Sequence, residues 1–195
     1  MGNPVSILRR LGVILRRHLF NVWINGFVSS MLVPDRARWI LLRLSGFDIE
    51  RSVIDARGFI GSTAVSIGRG SSLNFGVFLD GSAPVRVGRN VSIGMNVLVL
   101  TGSHELGAPA KRAGELTSAP VTIEEGAWIG ANSVILPGIT IGRGAVVGTA
   151  SLVMKDVAAH TVVMGNPARV ARRLDEADAP RPDSAAAAAQ SDALT

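Results

Sequence analysis

The stretch PVTIEEGAWIGANSVILPGITIGRGAVVGTASLVMKDV, residues 120–157, carries an aliphatic residue at every sixth position from Ile123 onward. The same period runs through two earlier blocks, and the full set is Ile67, Leu73, Leu79, then Val87, Ile93, Val99, then Ile123, Ile129, Ile135, Ile141, Val147, Val153. Glycine often follows the aliphatic residue. A helix would need a period near 3.6, and a hairpin sheet would need longer strict alternation. The pattern therefore predicts a parallel β-helix, with coils about 4.8 Å apart around one aliphatic column.

The phase of the repeat locates two interruptions. Leu79 and Val87 are eight residues apart, so two extra residues enter near residues 82–86. Val99 and Ile123 are 24 residues apart, a multiple of six, yet residues 104–119 supply no aliphatic position. Long loops in compact domains are usually functional. We expect residues 104–119 to protrude from the β-helix as a functional loop.

The first 47 residues are predicted to form a helical extension. On a helical wheel the apolar residues share one face and the arginines share the opposite one; the apolar set is Ile7, Leu8, Leu11, Ile14, Leu15, Leu19 and Val22, and the basic set is Arg9, Arg10, Arg16 and Arg17. Such a helix either attaches to an anionic membrane surface or packs on the domain with its basic side in solvent, the commoner behaviour of charged faces. A second helix is predicted from Pro34 to about Leu44.

The remaining organisation follows from composition. We expect the β-helix to span residues 48–174 and the charged, alanine-rich tail 175–195 to be disordered. The chain has 195 residues, no cysteine and a net charge of +5, so thiol chemistry is excluded and anionic partners are favoured. Residues 18–34 are too polar for a confident membrane span, and no signal-peptide pattern opens the chain. A cytoplasmic protein is expected, with peripheral contact at the inner face of the membrane as an option.

Four segments occur in the order and spacing of one family: NFGVFLD at 74–80, TGSH at 101–104, the stretch 120–157, and GNPARV at 165–170. This ordered set resembles the hexapeptide-repeat acyltransferases, in the branch of the galactoside and maltose O-acetyltransferases and the related capsule and exopolysaccharide acetyltransferases. The resemblance implies an all-β fold, a left-handed parallel β-helix with 18 residues per coil, assembled as a homotrimer. It also implies active sites between subunits and acetyl-CoA lying along each cleft.

The resemblance places a catalytic histidine in the protruding loop, at His104. A sugar hydroxyl must lose its proton as it attacks a thioester, and an imidazole, with a reference pKa of about 6.5, can accept that proton. Either Glu115, narrowly preferred, or Asp80 would orient the ring, and either could instead contact the sugar or be a solvated carboxylate; Asp80 is also a predicted acceptor-binding residue. Asn74 matches the family's asparagine at the acceptor site. The sequence spacing from Asn74 to Asp80 is one residue shorter than in the galactoside and maltose enzymes. This difference weakens the assignment of Asp80 more than that of Asn74.

Seven residues match positions that line coenzyme A in the family: Trp128, Ala131, Thr149, Met154, Lys155, Arg169 and Arg172. Small side chains would let the pantetheine arm lie against the coil. The cations would bind the phosphates through charge-assisted hydrogen bonds. Met154 stands where the family commonly has threonine, so that polar contact is in doubt.

The predicted function is acetyl-CoA-dependent O-acetylation of a sugar or of a polysaccharide or glycolipid precursor, by direct transfer with His104 as general base. One alternative is N-acylation of an amino sugar or nucleotide sugar, and another is a non-catalytic trimeric scaffold. A zinc-dependent carbonic anhydrase of the same fold would need three histidines gathered at the subunit interface. His18 lies in the N-terminal helix and His160 after the last regular repeat, so no metal is expected. The sequence contains no recognised nucleic-acid-binding motif, so we do not expect a nucleic-acid partner.

Overall fold

The computed structural model describes the backbone of residues 4–175 and the side chains of residues 11–175. Residues 176–195, nearly all of the tail predicted to be disordered, lie outside this range. The strands in chain order are β1 Asp48–Ile49, β2 Val53–Ile54, β3 Phe59–Ile60, β4 Val65–Ile67, β5 Ser72–Leu73, β6 Phe78–Leu79, β7 Val85–Val87, β8 Ser92–Ile93, β9 Leu98–Val99, β10 Gly102–Leu106, β11 Ala113–Ser118, β12 Val121–Ile123, β13 Trp128–Ile129, β14 Val134–Ile135, β15 Thr140–Ile141, β16 Val146–Val147, β17 Leu152–Val153, β18 Thr161–Met164 and β19 Arg169–Arg173.

These strands form a parallel β-solenoid with three sheets. The first sheet is ordered β1-β4-β7-β12-β15, the second β19-β18-β16-β13-β8-β5-β2, and the third β17-β14-β9-β6-β3. Adjacent strands are parallel, apart from the terminal pair β18–β19, and Ile49 pairs with Ile67, 18 residues later. The predicted parallel β-helix is confirmed.

The core is the predicted aliphatic column. All twelve residues of the six-residue repeat are buried, and none is more than 4% exposed. The column extends one coil further toward the N-terminus through Ile49, Ile54 and Ile60, which are also buried. The successive spacings from Ile49 through Ile54 and Ile60 to Ile67 are five, six and seven residues, which add up to one coil. Because these spacings are unequal, the six-residue period is not apparent in this part of the sequence.

Glycine follows many core residues because the next coil is very close. A Cβ atom at Gly130 would lie 2.5 Å from the backbone nitrogen of Thr149 and 2.8 Å from the carbonyl oxygen of Val147. Real Cβ atoms do not approach backbone atoms so closely, and interiors tolerate little overpacking. The glycine is therefore required by the distance between stacked corners.

Three helical segments precede the solenoid: α1 Pro4–Phe20, a π-helical segment Asn21–Val28, and α2 Asp35–Leu44. The second predicted helix is thus confirmed, with Pro34 just before its first turn. The π-helical segment is attached to the solenoid by Asn25, whose Oδ1 accepts the N–H of Ile60 at 2.8 Å and whose Nδ2 donates to the Ile60 carbonyl at 3.1 Å.

A buried arginine joins α2 to the first coil. The Arg38 guanidinium donates to the carbonyls of Val28 at 2.7 Å, Ser30 at 2.9 Å and Val33 at 2.5 Å, and to that of Ile54. Desolvation by burial lowers the pKa of Arg38, against the opposing effects of Asp55 and Asp35. The carbonyls of the connection between the π-helical segment and α2 are thereby satisfied at the end of the solenoid.

The apolar face of α1 is not packed on the domain. Leu11, Ile14, Leu15 and Leu19 are all more than half exposed. For the described residues, the interpretation of this helix as one packed on the domain is therefore wrong. The amphipathic pattern defines an apolar face, but it does not specify what covers that face. In the part of the chain that the structure describes, no helix has the length and apolar character needed to cross a membrane.

Candidate active site

The protruding loop is an antiparallel hairpin of β10 and β11. It leaves the corner between the third and first sheets at Gly102, two residues before the predicted start, and returns at Ser118. The Ala119 N–H donates to the Thr101 carbonyl at 2.9 Å, which closes the coil beneath the hairpin. Most hairpin side chains are exposed, so these strands carry no core pattern that the sequence could reveal.

His104 lies in β10, exposed, with its ring held by the opposite strand. Its Nδ1 is 3.0 Å from the carbonyl oxygen of Gly114. A carbonyl oxygen only accepts hydrogen bonds, so this contact requires the proton on Nδ1 and leaves the lone pair on Nε2. The exposed Nε2 can therefore accept a proton from a bound molecule.

Asp80 anchors the root of the hairpin. Its Oδ2 accepts the Gly102 N–H at 2.6 Å, the Thr101 N–H at 3.0 Å and the Thr101 hydroxyl at 3.1 Å, and its Oδ1 accepts the Ser82 hydroxyl at 2.9 Å. Burial acts to raise the pKa of Asp80, but these hydrogen bonds favour the carboxylate and hold the pKa below its ordinary value. The structure thus places Asp80 beneath the hairpin.

Neither candidate carboxylate bonds to His104. In the described residues, the Asp80 carboxylate is engaged by Ser82, Thr101 and Gly102, and no hydrogen bond joins the exposed Glu115 to the ring. The Gly114 carbonyl makes the contact for which a carboxylate was expected. Sequence reasoning could not find this residue, because every residue carries a backbone carbonyl and only the pairing of the two strands selects one.

We expect Asp80→Asn to lower the free energy of unfolding by about 1 to 3 kcal/mol, because an amide replaces a carboxylate that accepts four hydrogen bonds. A depressed folded-state pKa contributes stability above the unfolded-state value of about 3.9, and that contribution is lost as pH falls through the folded value. As pH falls below 4, the free energy of unfolding measured in urea should therefore decrease less in the variant than in the parent.

The matched control is Glu105→Gln, which neutralises an exposed carboxylate in the same hairpin. Its stability should stay within about 0.5 kcal/mol of the parent at neutral pH. Equal effects of the two variants would show that Asp80 does not anchor the hairpin.

Asn74 lies at the corner between the second and third sheets, half-buried. Its Oδ1 accepts the Phe75 N–H at 2.7 Å. Strand β6 of the third sheet separates Asn74 from Asp80, so the two predicted acceptor residues lie at opposite edges of that sheet. A single chain does not bring Asn74 and the His104 hairpin to the same edge.

The residues predicted to bind the cofactor form two groups. Trp128 is 58% exposed on the outer side of β13, and Ala131 and Thr149 occupy the following corner in successive coils. Met154, Lys155 and Arg169 line a groove of about 410 Å³ with Pro167 and Val170. Arg172 is exposed in β19. Thr149 precedes β17 of the third sheet and Met154 follows it, so these two residues lie at opposite edges of that sheet, while Arg169 pairs with Met164 in the second sheet.

The outer side of the third sheet is apolar. Its outward residues are Phe59, Phe78, Leu98, Val134 and Leu152, with the rings of Phe59 and Phe78 stacked at 4.6 Å. The corresponding residues of the first sheet are polar, namely Asp48, Ser66, Arg86, Thr122 and Thr140. One of the three sides of the solenoid thus carries an apolar strip, with Asn74 and Thr149 at one edge and Asp80 and Lys155 at the other.

The three histidines lie apart in the fold. His18 belongs to α1, His104 to the hairpin, and His160 to a corner between the first and second sheets. Within the described residues, no group of three or more His, Asp or Glu side chains is placed to hold a metal ion.

The family model described as bacterial transferase hexapeptide (six repeats) matches residues 120–153. A hexapeptide-repeat-containing acetyltransferase from Vibrio cholerae, solved in complex with acetyl-CoA, is 33% identical, with a TM-score of 0.70, and the match covers 78% of this chain and 84% of that one. The chain belongs to the hexapeptide-repeat acetyltransferases. The resemblance stated from the sequence motifs is confirmed.

Two further comparisons concern sugar acetyltransferases. A maltose O-acetyltransferase from Clostridium difficile has a TM-score of 0.75 at 26% identity, covering 84% of this chain and 89% of that one. A galactoside O-acetyltransferase from Lactococcus lactis is 35% identical over 118 residues, covering 60% of this chain and 57% of the relative. This chain therefore spans little more than half the length of that Lactococcus protein.

Proposed function

We propose that this protein transfers an acetyl group from acetyl-CoA to a hydroxyl of a sugar, or of a polysaccharide or glycolipid precursor. The observation that carries the proposal is the His104 ring, whose Nδ1–H is bonded to the Gly114 carbonyl and whose Nε2 is exposed on a projecting hairpin. The names of the maltose and galactoside relatives support a sugar acceptor. The acetyl-CoA complex of the Vibrio cholerae relative supports the donor.

The chemistry is a direct transfer between two bound substrates. The acceptor oxygen attacks the thioester carbon while Nε2 of His104 takes the hydroxyl proton. The tetrahedral intermediate then collapses with cleavage of the C–S bond. The imidazolium returns its proton to the departing sulfur, so the products are the acetyl ester and free coenzyme A. No acyl-enzyme forms, and the chain has no cysteine to carry one.

We propose a homotrimer as the active assembly. The apolar outer side of the third sheet favours burial against other copies of the chain. With that side toward a three-fold axis, each subunit's Asn74–Thr149 edge would meet the Asp80–Lys155 edge of a neighbour. Leu106 and Leu116, both exposed on the hairpin, would then pack on the adjacent subunit. This arrangement would place Asn74 and Thr149 of one subunit beside Asp80 and Lys155 of its neighbour, residues that a single chain keeps at opposite edges of the third sheet.

In the proposed cleft, the basic residues and the uncharged residues would contact different parts of the cofactor. Lys155, Arg169 and Arg172 would bind the phosphates, for which guanidinium and ammonium groups form charge-assisted hydrogen bonds. The small Ala131 and Thr149 would allow the pantetheine arm to lie close to the coil. Trp128 would cover it from the outer side of β13.

Calorimetric titration with acetyl-CoA, together with the mass in solution, tests the proposal. We expect a trimer that binds with micromolar affinity, and a loss of at least tenfold in affinity for the Lys155→Gln, Arg169→Gln double variant, because phosphate contacts are removed. The matched control is Lys111→Gln, Arg86→Gln, which removes the same charge from exposed positions elsewhere. A folded trimer without binding would favour the scaffold alternative, and acetylation of amines alone would favour N-acylation.

We also propose that α1 docks on an anionic membrane surface, at the inner face of the membrane. The exposed Leu11, Ile14, Leu15 and Leu19 occupy one face of this helix, with His18 among them as its polar member. Arg16 and Arg17 occupy the other side. An exposed apolar face bordered by cations binds anionic lipid through burial of apolar area and electrostatic attraction.

Sedimentation with phosphatidylglycerol vesicles checks this docking. We expect the intact chain to bind them and to bind phosphatidylcholine vesicles at least tenfold more weakly, since attraction to Arg16 and Arg17 is lost. Replacing Leu11, Leu15 and Leu19 by Ser should abolish binding, whereas the same change at the exposed Val13, Leu32 and Leu44 should not. Absence of vesicle binding by the intact chain would contradict the proposal.

A further inference from the structure

A second groove lies at the opposite end of the solenoid from the groove lined by Met154, Lys155 and Arg169. One wall is a face of α2 formed by Arg36, Trp39 and Ile40, which are spaced three and four residues apart and so share one side of the helix. The other wall comes from the first two coils, with Arg51 and Val53 in one and Arg69 in the next. Its volume, about 730 Å³, lies within the range of small-molecule sites. We call it the α2 groove.

The α2 groove is strongly positive. Three guanidinium groups line it, and no Asp or Glu is among its lining residues. The two salt bridges among the described residues join Arg89 to Glu50 and Arg143 to Glu125, so neither involves Arg36, Arg51 or Arg69. Within residues 11–175, no carboxylate contact therefore compensates the charge of these three arginines.

The acidic residues next to the groove arginines in the sequence, Glu50 and Asp35, bind groups other than the groove guanidiniums. The Glu50 carboxylate accepts the backbone N–H of Arg69 at 2.8 Å and lies 3.7 Å from Nε of Arg89. Asp35 likewise accepts the backbone N–H of Arg36 at 2.7 Å. Both carboxylates thus bind backbone groups next to the groove and leave its guanidinium groups available to an anion.

The groove also has an apolar surface. Trp39 is half-buried, while Ile40 and Val53 are exposed. A flat indole beside cations suits a ligand that combines a ring with an anionic group. Guanidinium groups match phosphate oxygens in a planar, bidentate geometry.

The groove is distinct from the proposed acetyl-transfer site. It lies at β2 and β5, whereas Arg169 and Arg172 lie in β19 at the far end of the same sheet. Strands β8, β13, β16 and β18 intervene between β5 and β19. At about 4.8 Å per strand, this separates the groove from Arg169 and Arg172 by roughly 24 Å, and from Trp128 in β13 by roughly 10 Å. A phosphate in the α2 groove is therefore not one held by Arg169 or Arg172.

We propose that the α2 groove binds a phosphate carried by a carbohydrate, with Arg36, Arg51 and Arg69 holding the phosphate and Trp39 lying against the sugar ring. The ligand is a sugar phosphate, either free in solution or as the head of a phosphorylated lipid. The inference does not depend on acetyl transfer, since the groove contains none of the residues assigned to that chemistry.

Calorimetry with glucose 1-phosphate, glucose and inorganic phosphate tests the free ligand. Glucose 1-phosphate should bind, glucose should bind at least a hundredfold more weakly, and Trp39→Leu should weaken glucose 1-phosphate at least fivefold while leaving inorganic phosphate unchanged. Replacing Arg36, Arg51 and Arg69 by Gln should reduce glucose 1-phosphate binding at least a hundredfold. The matched control replaces Arg57, Arg86 and Arg173, three exposed arginines outside the groove, by Gln.

Vesicles that contain lipid A, whose head is a phosphorylated glucosamine disaccharide, test the lipid source, with Leu11, Leu15 and Leu19 replaced by Ser so that α1 does not contribute. Binding that needs the three groove arginines, but not the three control arginines, supports a phosphorylated lipid head. Equal losses in the two arginine sets would show general attraction to positive charge and overturn the proposal. Failure of both glucose 1-phosphate and these vesicles to bind the folded protein with its groove arginines intact would also overturn the proposal. Loss of acetyl-CoA binding by the Lys155, Arg169 variant is a separate outcome and does not bear on the groove.

Discussion

Replacement of His104 by Ala should reduce acetyl transfer by roughly 10² or more, the usual scale for removal of a general base. In the proposed mechanism the Nε2 atom is the proton acceptor, and an alanine leaves no group in its place. Acetyl-CoA affinity and the mass in solution should be unchanged, because the exposed ring makes one hydrogen bond, to Gly114, and contributes nothing to the aliphatic core. Release of the coenzyme A thiol under saturating acetyl-CoA measures the transfer.

Two further variants separate loss of the base from disturbance of the hairpin. Ser103→Ala alters the neighbouring exposed residue of β10 and should retain transfer within about twofold, because a surface substitution away from the ring has little effect. His104→Gln keeps a polar side chain that can still meet the Gly114 carbonyl, but an amide does not accept a proton at neutral pH. It should be as slow as His104→Ala. Near-normal transfer by either His104 variant would remove this residue from the mechanism.

Arg38→Met should lower the free energy of unfolding by about 3 kcal/mol or more. The substitution keeps an apolar stem but removes the donors to four backbone carbonyls, of Val28, Ser30, Val33 and Ile54. A buried polar group left without its partner costs about 1 to 3 kcal/mol, and Arg38 is only 2% exposed. Since domains have net stabilities of about 5 to 15 kcal/mol, this is a large fraction of the total. Urea unfolding followed by far-ultraviolet circular dichroism measures it.

Arg36→Met is the matched control for that substitution. It makes the same change two residues earlier on α2, where the arginine is exposed, and should alter stability by no more than about 0.5 kcal/mol. The free energy of unfolding of Arg38→Lys should lie between those of Arg38→Met and Arg36→Met, because an ammonium retains the charge but lacks the planar guanidinium that reaches several carbonyls. If Arg38→Met and Arg36→Met were equally stable, the buried guanidinium would not be what joins α2 to the first coil.

The solenoid could be predicted because its signal repeats in every coil. Ile123, Ile129 and Ile135 occupy equivalent positions in successive strands, and the same six-residue spacing recurs wherever the coil is regular. The interruption after Val99 was visible for the same reason, since a break in a regular phase is itself a local signal. The coil through Ile54 and Ile60 was not predicted, because its core residues are not evenly spaced by six.

For the candidate site, the sequence could indicate only which side chains to consider. His104 stood out as a histidine at the start of the interruption, and the positions of Lys155 and Arg169 followed from ordered motifs. The partner of His104 could not be identified, because Gly114 contributes a backbone carbonyl that any residue would carry. Asp80 was recognised as a site carboxylate, but its place beneath the hairpin depends on contacts with Thr101 and Gly102 across a sheet.

The sequence by itself determined the coil, the position of the hairpin and the residue that we propose as the base, because those features depend on local spacing and on side-chain chemistry. Only the tertiary structure decided that α1 exposes its apolar face, that Arg38 is buried among carbonyls and that Arg36, Arg51 and Arg69 line one groove. These features depend on which surfaces meet after folding. Contacts between residues far apart in the chain leave no periodic trace in the sequence, since each is made once and not in every coil.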